Sequence, residues 1–326
     1  MKPEKNCLAI MVVMCLIAMG CTRQLPPEEA ELQLRAFDGE LIKLQRNIRR
    51  TASFSALQEL ASIPGTSLPF LMHQPDEPGM AYRYDFHAKK GVYAHDTTTG
   101  RFLLIERADA VVLHFSDPAN RNARIEFVLH DFAEAPTSSG FLFPVRINAQ
   151  MSINDKPAIY VMFQGEVAHG MPVGFLLDMH WDDYRLRAEM SGRLRKTRGE
   201  MHLDFHLSRM NQQLIDADIN AKIGMDSLSA YYIRDFRCHF ALFPIELRAR
   251  VKAKNIPADT RDFVGDFNRN SNIQVYSAQK RERVGEVKLH RRKDKLDYVV
   301  YFSDGSYMYL DDNLLSVMAL LGIKLP

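Results

Sequence analysis

Between residues 34 and 48 apolar side chains return every three or four positions. Leu34, Phe37, Leu41, Leu44 and Ile48 form the series, with Glu, Lys and Arg among the intervening residues. That spacing predicts an amphipathic helix whose one apolar stripe packs on a sheet. The run SALQ at 55–58 reads as a capping box opening a second, short helix that Pro64 and Gly65 end. A loop rich in Pro and Gly follows to about residue 80.

From there the period falls to two. The stretch GVYAHDTTTGRFLLIERADAVVLHFSD (91–117) predicts three strands, with a turn at Thr97 to Gly100. Further strands are predicted at 123–133, 142–153, 157–168, 173–182, 184–196, 200–210 and 214–224, joined by short turns into an antiparallel meander. Residues 231–255 fit strand or helix equally well. A short helix is expected at 259–269, then strands in NIQVYSA, RVGEVKLHR and DYVVYFSDGSYMYL, and a closing amphipathic helix, DNLLSVMALLG. Asp304-Gly305 supplies a hairpin turn.

The expected fold class is therefore α+β, mostly β: a large curved antiparallel meander sheet packed by an N-terminal helix, with a small C-terminal α/β portion. The expected division is a leader at 1–20, a linker and helical segment at 21–80, a sheet domain at 81–230, and a mixed portion at 231–326 packed on the sheet.

Pairing the strands on paper gives each face a character. A turn at Asp182-Asp183 sets Trp181 against Tyr184, Met179 against Leu186, Leu177 against Ala188 and Phe175 against Met190. A turn at Thr197-Arg198 then sets Met190 against Phe205, and a loop at 211–213 sets Leu203 against Ala221. One face is apolar throughout. Phe175, Leu177, Met179 and Trp181 would line its concave side, joined by Leu186, Met190, Leu203 and Phe205.

The opposite face carries the stretch GEMHLDFHLS (199–208), where His202, Asp204 and His206 alternate. Two imidazoles and a carboxylate on one face suit a metal or acid–base chemistry. The paper register puts His202 between Arg193 and Lys222, a poor setting for a dication. It puts His206 between Glu189 and Asp218, which makes Glu189, His206 and Asp218 the sharpest chemical candidate. Three side chains on an open face lack an evident pocket, so the preferred reading is a solvated face with neither metal nor catalysis.

Composition changes this little. The 42 Lys and Arg against 40 Asp and Glu give no basic excess of the kind that binds nucleic acid. There is no P-loop, G-x-G-x-x-G, G-x-S-x-G or H-E-x-x-H motif. DADIN at 216–220 imitates the start of an EF-hand loop but lacks the glycine and the twelfth-position glutamate. The basic run at 280–295 alternates with apolar residues and reads as an edge strand guarded by charge.

The first residues say more. Lys2 and Lys5 precede the apolar run CLAIMVVMCLIAMG, too short for a comfortable membrane span, which ends in Ala18-Met19-Gly20-Cys21. This resembles a bacterial lipoprotein signal peptide with its lipobox; Met19 is the imperfect position. The resemblance implies cleavage before Cys21, diacylglycerol on its sulfur and a further acyl chain on its amino group. Such chains anchor a protein stably without spanning. Of four cysteines only Cys238 would then remain unmodified in the mature chain, and it reads as a small buried hydrophobe.

With the elements placed, the chain resembles the uncharacterised β-rich lipoproteins of Bacteroidota. The resemblance rests on Cys21, the early helix, KKGVYAHDTTTGRF leading to ADAVVLHFS, the meander with PVRINAQMSINDKPAIYV, and the closing FSDGSYMYL with its helix. It implies an exported, curved β-sheet with flanking helices and no assigned catalytic residues. The expected location is the cell envelope, at the outer membrane, with which Thr22 after the cysteine is compatible, and no cofactor is expected. The expected function is non-enzymatic binding of a lipid or other apolar ligand on the concave face. The alternative is a structural or protein-interaction lipoprotein with a solid core, recruiting an envelope partner through a sheet edge or the charged face. Nucleic acid is not an expected partner.

Overall fold

The computed structural model describes residues 23–64, 68, 84–117, 120–138, 140–195, 197–225, 231–257, 260–293 and 295–313. The signal segment, Cys21 and most of the predicted closing helix lie outside them. The fold class is α+β, dominated by antiparallel strands. The chain divides into two compact units, one of residues 42–238 and one pairing the chain up to Leu41 with His239 onward.

Among the described residues the larger unit holds ten whole strands: β1 (Gly91–Asp96), β2 (Arg101–Glu106), β3 (Val111–Asp117), β4 (Asn120–Pro136), β5 (Leu142–Ile153), β6 (Lys156–Ala168), β7 (Met171–Trp181), β8 (Tyr184–Arg195), β9 (Arg198–Arg209) and β10 (Gln212–Met225). From β3 to β10 each strand pairs antiparallel with the next, as the alternating pattern predicts. The start departs from a simple meander. β1 pairs antiparallel with β2 but parallel with β3, so β2 lies outermost in the order β3-β1-β2. Parallel neighbours need a crossover of about a dozen residues, which β2 and its flanking turns supply.

Cover comes from two helices. Helix α1 (Pro27–Arg49) belongs to this unit from Ile42, and α2 (Ala52–Ser62) follows it. Ala56, Leu60 and Ile63 enter a core with Val111, Leu113, Ile125, Phe127, Leu129 and Met151, while Leu44 and Ile48 of α1 pack against it. Thus α2, more than the longer helix, closes the sheet. Its N-cap is Thr51, whose hydroxyl accepts from the Phe54 N–H at 3.2 Å, so Ser55 sits inside the helix instead of starting it. Ser53 is buried because its hydroxyl donates to the Ala158 carbonyl of β6 at 3.0 Å, tying helix to sheet. A single turn, α3 (Phe86–Lys89), capped by Asp85, leads into β1.

Strand β11 (Tyr231–Leu242) runs across the boundary between the units. The ambiguous 231–255 segment is therefore strand, with β12 (Ile245–Val251) following it. In the smaller unit β12, β13 (Ser271–Ser277), β14 (Arg283–Arg292), β15 (Lys295–Tyr301) and β16 (Tyr307–Tyr309) pair in sequence. The basic strand β14 is not an edge: β13 and β15 flank it. Its Val284, Val287 and Leu289 are buried, Lys288 pairs with Glu286 at 2.5 Å, and Arg291 and Arg292 are exposed where the strand ends. Helix α4 (Phe263–Asn270) is pinned to β14 by Asn268, whose amide bonds both the carbonyl and the N–H of Leu289 at 2.8 Å. The hairpin between β15 and β16 turns at Asp304-Gly305, as predicted, and α5 (Leu310–Asn313) follows.

Met151 is fully buried beneath α2 in the larger core. Met151→Ala is expected to cost about 2–5 kcal/mol, read as a lower midpoint in urea with an unchanged slope.

Candidate functional site

The apolar and polar faces of β6–β10 carry two separate constellations, and the turns decide both. Asn154-Asp155, His169-Gly170 and Met210-Asn211 each have two consecutive residues at positive φ, the geometry of two-residue hairpin turns whose twist matches the strands. Gly170 is needed twice over, since φ is 74° and a Cβ would lie 2.8 Å from the Ser138 backbone nitrogen.

The β7–β8 register is the one read from sequence: Trp181 faces Tyr184, Met179 faces Leu186, Leu177 faces Ala188 and Phe175 faces Met190. The next two pairings are each displaced by two residues. Arg195 faces Arg198, so Met190 meets Leu203 and Ala188 meets Phe205. The Met210-Asn211 turn, with a bulge near Gln213, sets Leu203 against Ile219 and Met201 against Ala221. A shift of two keeps every side chain on its face, so the apolar pattern could not distinguish the registers.

On the apolar side a groove of about 250 Å³ opens between helices and sheet. Its walls are Ile48 of α1, Phe54 and Leu57 of α2, and Ile159, Met179, Trp181, Leu186 and Leu207 of the strands. Of the predicted lining residues, Met179, Trp181 and Leu186 take part. Phe205 packs against the same core. Phe175 instead stacks on Phe163, ring centroids 5.7 Å apart, and Leu177, Met190 and Leu203 are half-buried on the same face without reaching the groove. The seven residues from Phe175 to Trp181 span about 20 Å of strand, so the predicted row is longer than the groove. Sequence reasoning left Phe54 outside the helix, which it started at Ser55, and placed Leu57 in that helix without assigning it to the groove. Trp181 stacks on Tyr184 at 5.4 Å, and its buried indole N–H has no hydrogen-bond partner among the described residues.

On the polar side the displaced registers rewrite the neighbours. Glu189, His206 and Asp218 do not converge: Glu189 faces Asp204, while His206 stands between Arg187 and Asp216 and bonds Asp216 at 2.6 Å. His202 is not flanked by Arg193 and Lys222 but by Ser191 and Asn220. Asp204 lies directly opposite Asp218. His202 Nε2 reaches Asp204 Oδ2 at 2.8 Å and Asp218 Oδ2 at 3.8 Å, and its Nδ1 meets Asn220 Oδ1 at 3.0 Å. Burial of the ring opposes its protonation, yet the Asp204 charge, the hydrogen bonds of Asn220 and Asp204, and the Asp218 charge outweigh this and raise the His202 pKa. Cys238 is pushed up by burial and then by the Asp218 charge, so its thiol stays protonated and unreactive at neutral pH.

No protein-family model matches the chain, and no curated protein or solved structure is similar to it.

The polar face also holds a salt-bridge centre at Asp178, which accepts from Arg185 Nε at 3.1 Å and Nη2 at 2.8 Å, with His180 Nε2 at 3.1 Å. The Arg185 hydrogen bonds lower its pKa against opposing desolvation, helped by the charges of Arg185, His180 and Arg187. A depressed carboxylate contributes stability above its unfolded pKa of about 4 and loses it as pH falls through the folded value. Asp178→Asn should therefore cost about 1 kcal/mol or less at pH 7, given solvent screening. Thermal melts of the two proteins should converge as the medium is acidified.

Proposed function

We propose that the protein is a non-enzymatic envelope lipoprotein, held to the outer membrane by acyl chains on Cys21, that binds an apolar ligand in the groove between α2 and the sheet. The supporting observation is the groove's lining, which is wholly apolar and drawn from both helices and four strands. Its size bounds the ligand. A dry cavity of about 150 Å³ holds benzene, and drug-sized sites start near 300 Å³. A volume of about 250 Å³ thus suits one acyl-chain segment or a small apolar molecule, not a whole lipid. The Trp181 N–H, buried without a partner among the described residues, gives such a ligand a donor to satisfy if it carries an ester or carboxyl oxygen. Each methylene buried contributes about 0.8 kcal/mol before the costs of association.

Trp181 is the only tryptophan of the chain, which makes the groove self-reporting. Titration with a fatty acid brominated along its chain should quench Trp181 emission saturably. Met179→Trp fills the groove without adding charge; it should abolish bound fatty acid, scored by native mass spectrometry, without lowering the thermal midpoint. Absence of saturable quenching, or binding indifferent to the filled groove, rejects the reading.

The anchor carries its own test. In a bacterial host that processes lipoproteins, the full chain should incorporate labelled palmitate and partition into detergent, and Cys21→Ser should do neither. Equal partitioning of the two would rule out lipidation at Cys21.

A second reading, a lipoprotein that recruits an envelope protein, is favoured by β2. This strand ends the sheet order of its unit and exposes Leu103, Leu104 and Ile105, and among the described residues no strand pairs with its outer edge. Exposed apolar edges of this kind accept added strands. A groove that takes up no acyl chain would move the search there.

A further inference from the structure

The face of β9 and β10 turned away from the groove places two aspartates directly opposite each other, an arrangement that costs stability unless a cation lies between them. Two cations of neighbouring positions are engaged elsewhere. Arg187 Nη2 lies 3.1 Å from Glu189, and Lys222 Nζ lies 3.4 Å from Glu200. Among the described residues no Lys or Arg forms an ion pair with Asp204 or Asp218. What faces both is the His202 ring.

We propose that His202, Asp204 and Asp218 form a binding site for a divalent transition metal of the zinc class. One ligand atom from each residue falls within 4.8 Å of the other two. Zinc bonds of about 2.0–2.1 Å in tetrahedral geometry place ligand atoms about 3.3 Å apart. The observed 2.8 Å and 3.8 Å from His202 Nε2 to the two carboxylates bracket that separation, so side-chain movements of about half an ångström complete it. The surrounding contacts orient the donors. Asn220 Oδ1 takes the Nδ1 side of the ring, leaving Nε2 as the atom presented to the carboxylates. Asn220 Nδ2 in turn donates to Asp218 Oδ1 at 2.6 Å, leaving Oδ2 toward the imidazole. Such outer hydrogen bonds fix ring tautomer and ligand direction in metal sites. One imidazole with two carboxylates suits zinc or manganese, and the half-exposed setting leaves further positions to water.

Zinc chloride titrated into the untagged full chain, followed by calorimetry and by competition with a zinc indicator, tests the site. One zinc per chain is expected. His202→Gln keeps an amide in place of the ring and Asp218→Asn keeps the shape of the carboxylate; each should weaken zinc binding about tenfold or more. Asp216→Asn, which disturbs only the adjacent His206 pair, should leave affinity unchanged. Far-UV circular dichroism confirms that the half-exposed variants remain folded. No zinc uptake, or affinity unaltered in folded His202→Gln and Asp218→Asn, overturns the proposal. Equal loss in Asp216→Asn also overturns it, since zinc would then be held by the general acidity of the face.

Discussion

A strand can move against its partner by two residues without exchanging its faces, but not by one. In the larger unit that constraint governs everything else. Burial of one face beneath α2 settles which side chains point inward, because an odd slip would bring the row of Leu207, Phe205 and Leu203 to solvent and place His206 and Asp204 in the core. Burial is indifferent to even slips. The choice among those falls to the turns, and at Asn154-Asp155, His169-Gly170 and Met210-Asn211 a short loop with two left-handed residues leaves one register.

Register then allots two kinds of chemistry to one set of strands. On the buried side it brings Met179, Leu186 and Leu207 into line beside Ile159, and the Ser53 hydroxyl, bonded to β6, keeps α2 in place above them. Helix and sheet diverge enough at Phe54 and Leu57 for the seam to stay open as the groove. On the other side the same register puts Asp204 across from Asp218 and His202 across from Asn220. Neither constellation needs residues that the other uses, since odd and even positions of a strand face opposite ways.

What could be read from sequence follows the same division. Strand positions, parity and the apolar row from Phe175 to Trp181 were legible because a period of two and a buried face leave a strong pattern. The β7–β8 register was legible too, since Asp182-Asp183 is flanked by Trp181 and Tyr184, which belong together. The next two registers were not. Around Lys196 and Gln212 polar residues surround each turn, and nothing in their hydrophobicity separates registers two apart. The two displacements carried the candidate site from Glu189, His206 and Asp218 to His202, Asp204 and Asp218. The parallel pairing of β1 with β3 was equally hidden, because a hairpin between β1 and β2 reads the same whichever edge the next strand joins. The charge on β14 suggested an edge, but Lys288 and Glu286 pair along the strand and Arg291 and Arg292 gather at its exposed end, an arrangement an interior strand can hold.

The displaced register also changes what the polar face must tolerate. Had His202 faced Arg193 and Lys222, the two aspartates would each have had a neutral or oppositely charged partner, and the face would have been an ordinary ladder contributing about 0.2–1 kcal/mol per cross-strand pair. Instead Arg193 faces Glu200, Glu200 faces Lys222, and that row is satisfied internally. The neighbouring row runs Ser191, His202, Asn220, and the next runs Glu189, Asp204, Asp218, three acids side by side. Arg187 relieves Glu189 from along its own strand, while Asp204 faces the His202 ring and Asp218 has that ring and the Asn220 amide. An imidazole supplies a full positive charge only when protonated, a state these carboxylates favour by raising its pKa. A ladder selected for stability alone would place Lys or Arg at position 202 or 220, where a permanent charge could reach both acids. Histidine and asparagine at those positions give a row that is held together more weakly and is correspondingly open to a cation from solution.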